Sequence, residues 1–130
     1  MSRRIEDLTP ATQELYWLFS EAMSRARIPF MVTCTFRSQE EQDALWNQGR
    51  TTPGKVVTWT RNSRHTKRTA FDIAILRDGK PTWDSKVSLN DNDIPDYQEA
   101  GTIGEMVGLT WGGFWKTPDF PHFQNDKEVV

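Results

Sequence analysis

Thr69-Ala70-Phe71-Asp72-Ile73-Ala74-Ile75-Leu76 alternates between two faces, with Phe71, Ile73 and Ile75 on one and Ala70, Asp72 and Ala74 on the other. Successive side chains of a strand point to opposite sides, so the pattern predicts a half-buried β-strand. Asp72 then projects away from the bulky apolar residues, between two alanines that leave room for a ligand. Asp78-Gly79 follows as a turn signal into a second short strand near Pro81–Trp83. His122–Gln124 has the same character, with His122 and Gln124 on one face and Phe123 on the other. If the two strands are neighbours, His122 and Asp72 converge on one sheet surface.

Helical signals surround these strands. Thr9-Pro10 combines a hydroxyl N-cap with proline at the first helical position, and Leu15, Leu18, Phe19, Ala22 and Ala26 continue a helical period to about residue 27, ahead of Pro29. Phe30–Thr35 is a β-prone run. Ser38 and Glu41 have capping-box spacing, which opens a helix reaching about Gln48 and ending at Gly49. Residues 50–68 lack periodicity and read as a long functional or mobile loop. Residues 84–95 read as a polar loop. A third helix is expected over Asp96–Val107, weakened by Gly101 and Gly104. Leu109–Trp111 reads as a further closing strand.

The chain has 130 residues, 36% hydrophobic and 26% charged, which suits one folded domain spanning 1–130 rather than a disordered chain. Core packing is the expected role of most of its six Trp. No apolar run reaches bilayer length, so membrane insertion is not expected. No apolar stretch follows the basic residues of Met1-Ser2-Arg3-Arg4-Ile5-Glu6-Asp7, so a Sec signal peptide is not expected and synthesis in the cytoplasm is. The single Cys34 fits a reducing compartment and, with no cysteine pair, directs any zinc site to histidine and carboxylate. The cluster Arg61, Arg64, Lys67 and Arg68 is either a polyanion-binding patch or a solvated loop.

Both histidines of the chain lie beside a predicted strand and near a carboxylate. Two neutral imidazoles (His65, His122) and Asp72 would leave a tetrahedral zinc with one open position, the form of a catalytic site. Water at such a site becomes a nucleophile near neutral pH but needs a base, for which Asp119, three residues before His122, is the candidate.

Ser63-Arg64-His65-Thr66-Lys67-Arg68-Thr69-Ala70-Phe71-Asp72 resembles the S-x-H-x-x-G-x-A-x-D motif of the D-Ala-D-Ala metallopeptidases, which include VanY-type carboxypeptidases and L-alanyl-D-glutamate endopeptidases of phage endolysins. Asp119-Phe120-Pro121-His122-Phe123-Gln124 resembles the second motif, and Arg37-Ser38 with Gln42 the upstream R-[ST]-x-x-x-Q segment. The resemblance implies an α+β fold, a small antiparallel sheet with helices mainly on one side and the metal on the other, of the kind shared with hedgehog-type relatives. It implies that His65, Asp72 and His122 hold Zn2+ and that Asp119 is the general base. Arg37 would polarise the scissile carbonyl, with Gln42 and Ser63 orienting substrate or ligands. Arg68 stands where the motif has Gly, so that turn has either an ordinary backbone angle or strain.

The function expected is a zinc peptidase that cuts peptidoglycan stem peptides. First choice is an L-alanyl-D-glutamate endopeptidase serving as a phage or prophage endolysin, monomeric and reaching the wall after release across the inner membrane. A D-Ala-D-Ala carboxypeptidase is the nearest alternative. A metal-dependent nuclease and a non-catalytic zinc-containing binding module are alternatives from other classes, although no nucleic-acid partner is expected.

Overall fold

The computed structural model describes residues 1–88, 90 and 92–129, so the expected polar loop 84–95 lies partly outside the described residues. Three helices, α1 (Pro10–Arg25), α2 (Gln39–Asn47) and α3 (Asp96–Val107), accompany five strands, β1 (Phe30–Cys34), β2 (Ala70–Arg77), β3 (Lys80–Thr82), β4 (Thr110–Trp111) and β5 (His122–Gln124). The expected helix ends are met closely because the caps are made. Thr9 Oγ1 accepts from the Thr12 N–H, and Ser38 and Glu41 form both halves of the capping box.

The sheet order is β1-β2-β5-β4, every pair antiparallel. β2 is the axis. β1 lies along one edge, while β5 takes the first half of the other edge (Ala70–Asp72) and β3 the second (Ile75–Arg77). The β2–β3 turn uses left-handed Asp78 (φ 52°) and Gly79 (φ 76°), the geometry that suits a tight hairpin.

One sheet face builds the core. Phe71 and Phe123 stack across β2 and β5 at 5.6 Å, and Phe19 of α1 meets both rings. Met23, Ile73, Ile75, Tyr97, Ala100, Leu109 and Trp111 complete the cluster, so α1 and α3 cover this side. The Tyr97 hydroxyl donates to the Thr82 carbonyl and accepts from the Ile75 N–H, tying α3 to the hairpin. The alternation of β2 is right, but the strand is not half-buried. Ala70 and Ala74 are also fully buried, and Asp72 alone among residues 70–75 stays partly open. On the second face the 64–67 turn packs against β2. Among the described residues, no helix is long and apolar enough to cross a membrane.

Candidate metal centre and active site

Three side chains form a row on the second face. Asp72 of β2 is opposite Cys34 of β1 and opposite His122 of β5, and directly opposed residues share a face. His65 reaches the row from a short 3₁₀ turn, Arg64–Lys67, capped by Ser63, whose Oγ accepts from the His65 N–H at 3.2 Å. Ser63 thus positions His65 and also lines the cleft. The turn ends at Arg68, which adopts φ 64° and ψ 27°. The residue replacing glycine thus accepts the left-handed backbone, held by a hydrogen bond from its guanidinium to the Asp7 carbonyl and by stacking over Phe36 at 3.9 Å.

The predicted ligands converge. His65 Nε2 lies 3.2 Å from Asp72 Oδ2, and His122 Nδ1 lies 3.0 Å from Asp72 Oδ1. The partners of the remaining ring nitrogens fix both tautomers. His65 Nδ1 is 2.8 Å from the Thr35 carbonyl, which can only accept, so Nδ1 carries hydrogen. Ionised Asp126 accepts from the Gln124 amide N–H at 2.6 Å, which turns the amide oxygen to His122 Nε2 at 2.8 Å and makes that nitrogen a donor. Arg64, 3.2 Å from Asp126, completes the relay. Both imidazoles therefore turn their other ring nitrogen, His65 Nε2 and His122 Nδ1, to one carboxylate. His65 Nε2 is buried and, despite its nearness to Asp72, has no aligned hydrogen-bond partner. An orphaned nitrogen beside one carboxylate oxygen and a second imidazole beside the other are donor types that suit a divalent cation.

Without a cation, protons take its place. Burial by itself would push His65 down, but Asp72 and Cys34 beside it prevail and push it up to about 10. Burial would likewise raise Asp72, yet a hydrogen bond with His122 and the nearby charge of His65 hold it well below the usual carboxylate range.

His65, Asp72 and His122 line a cleft of about 960 Å³ together with Arg37, Trp59, Trp115 and Asp119. Asp119 is set by backbone: its N–H donates to the Gly112 carbonyl at 2.9 Å, and its own carbonyl accepts from the His122 N–H at 3.2 Å. A Cβ on Gly112 would lie 2.6 Å from that Asp119 carbonyl oxygen, so only glycine permits the approach. Burial raises the Asp119 carboxyl, and Asp72 adds to this against the opposing pull of His122, His65 and Arg37. A raised carboxylate is better matched to proton transfer near neutral pH. Arg37 reaches the cleft from just before α2, its Nη1 donating to Gln42 Oε1 at 2.7 Å. Gln42 is fully buried and donates to the Thr60 carbonyl at 2.7 Å, so it anchors Arg37 to the 58–60 loop.

Sequence reasoning missed two groups. Cys34 lies with His65 and Asp72 in one set whose ligand atoms are all within 4.8 Å of one another. The absence of a cysteine pair therefore does not exclude sulfur from the site. The Asp126–Gln124 relay was also missed, although its alternating spacing from His122 on β5 was a usable signal. The basic cluster does not form a continuous patch: Arg64 pairs with Asp126, Arg68 engages Asp7 and Phe36, and Arg61 lies over Trp46 at 4.8 Å. The Trp expectation is corrected too. Trp111 is buried, whereas Trp17, Trp59, Trp83 and Trp115 are exposed.

Residues 57–125 match the family described as D-alanyl-D-alanine carboxypeptidase. The chain is 36% identical over 122 residues to the peptidoglycan L-alanyl-D-glutamate endopeptidase CwlK of Bacillus subtilis (strain 168), covering 91% of this chain and 73% of that protein. Its fold matches the crystal structure of the L-Ala D-Glu endopeptidase ChiX of Serratia marcescens with a TM-score of 0.70, at 23% identity, over 93% of this chain and 82% of that one. That likeness bears out the α+β architecture, and the sequence matches bear out the resemblance of the motifs. The chain is an enzyme of the D-alanyl-D-alanine carboxypeptidase family of metallopeptidases.

Proposed function

We propose that this protein is a zinc-dependent peptidoglycan peptidase that cuts the L-alanyl-D-glutamate bond of stem peptides, serving as the endolysin of a phage or prophage. The carrying observation is the approach of His65 Nε2 and His122 Nδ1 to the two oxygens of Asp72, in a cleft that also holds Asp119 and Arg37. The bond specificity is supported by the CwlK and ChiX relationships. His65 Nε2, Asp72 and His122 Nδ1 would hold the zinc. When bound, it supplies a Lewis acid that acidifies water and polarises a carbonyl.

The chain's own residues do the rest. Asp119, raised by burial, takes a proton from the attacking water and returns it to the departing amine. Arg37 donates to the oxygen on which charge develops, held in place by Gln42. The wall stem peptide lies in the open cleft, and the chain acts as a monomer after release across the inner membrane.

Mass spectrometry of muropeptides after digestion, with and without a chelator, tests this reading. New L-Ala carboxyl and D-Glu amino ends that vanish on chelation are expected; release of free D-Ala alone would make the protein a carboxypeptidase. Asp119→Ala should lower turnover on the order of 10²–10⁴-fold while zinc content stays at wild-type level. Unchanged turnover would remove Asp119 from the reaction.

A further inference from the structure

The row on the sheet contains one more donor than the proposed reaction uses. Cys34 is placed there by a β-bulge. Val32 pairs with Ile73 and Cys34 with Asp72, so one extra residue, Thr33, is accommodated between them. In regular pairing Cys34 would lie opposite Phe71, on the core side; the bulge turns it to the side of Asp72. Cys34 is 5% exposed and is the sole cysteine of the chain.

Two further observations bear on the sulfur. His65 Nε2, on a residue only 2% exposed, has no hydrogen-bond partner and belongs to the same compact set of ligand atoms as Cys34 Sγ and Asp72. Arg37 Nη2 donates to Sγ at 3.8 Å, which gives the sulfur a cationic neighbour. Cys34 thus neighbours two of the three proposed metal donors, His65 and Asp72, and also the guanidinium assigned to the scissile carbonyl. Thiolate is a strong zinc ligand, and a fourth protein donor closes a tetrahedral site.

We infer that Cys34 is a fourth, displaceable zinc donor, closing the site in the substrate-free protein. This rests on the zinc reading above. On closure the Cys34 S–H gives its proton to solvent, a sulfur–zinc bond forms and one water leaves. Substrate entry reverses these steps, freeing Arg37 as well, and nothing is oxidised or reduced.

Zinc X-ray absorption on the substrate-free, full-length holoprotein tests the assignment. One sulfur at about 2.3 Å is expected beside nitrogen and oxygen at about 2.0–2.2 Å. Cys34→Ser should lose the sulfur shell and keep imidazole scattering. A wild-type shell of nitrogen and oxygen alone, with imidazole scattering present, would overturn the role of Cys34 and leave the metal centre standing. Zinc without imidazole scattering would bring down the metal centre itself, and this inference with it.

Discussion

Arg68 shows how one side chain carries both a cost and its compensation. A left-handed backbone costs a non-glycine residue about 1–2 kcal/mol, set here against a stack on Phe36 and a hydrogen bond to the Asp7 carbonyl. Arg68→Ala keeps the strain and loses the contacts, whereas Arg68→Gly loses both. Urea unfolding should therefore find the alanine variant less stable than the glycine variant by about 1 kcal/mol, and equal midpoints would show that the backbone carries no strain. Glu41 gives a pH signature. The N-terminal ammonium of Met1 and the Ser38 N–H hold its carboxyl near about 2, below its ordinary value of 4.5. A depressed folded-state value stabilises above about pH 4.5 and loses that contribution as pH falls towards about 2. Glu41→Gln should flatten the fall of the unfolding midpoint across that window; an unaltered slope would discount the pair. The shared face of Asp72 and His122 was legible at this scale because alternation along their strands sets it, whereas His65 entered through the motif. Cys34 was not, because a bulge reverses its facing and leaves no trace in the hydrophobic pattern.

Helix α3 shows where local and tertiary preferences part. Propensity reads Gly101 and Gly104 as weaknesses, yet the helix spans Asp96–Val107 as its other residues predict. A Cβ on Gly101 would meet the Trp111 ring at 2.2 Å, and one on Gly104 would meet Phe123 at 2.6 Å. The two glycines let α3 lie directly on the strands that carry Trp111 and His122. Gly101→Ala, favourable by intrinsic propensity, should destabilise the protein by about 1–3 kcal/mol in denaturant unfolding through overpacking. A stabilised variant would refute the close contact. The burial of β2 on both faces was hidden for a related reason: it depends on tertiary contacts such as the 64–67 turn against β2, which residue spacing does not encode.

At the scale of the whole molecule, the donors come from a turn and two strands, with Asp72 and His122 50 residues apart in the chain. A cation held by them binds the folded chain and not the unfolded one. At free zinc about 100 times its dissociation constant, it should add about 2.7 kcal/mol. Chelation should then lower the calorimetric Tm on the order of 10 °C, reversibly on adding zinc back; an identical Tm would mean that the folded chain holds no ion. The α+β class was legible because the two strand periods and the caps of the first two helices agree with one another. The wide exposure of tryptophan was not, since residue type alone does not say which side of a helix or loop meets solvent. The placement of His122 on the final strand of the sheet also bears on synthesis. A nascent chain whose β5 is still inside the ribosome cannot yet set His122 opposite Asp72, so the row assembles only once that strand has emerged and paired with β2.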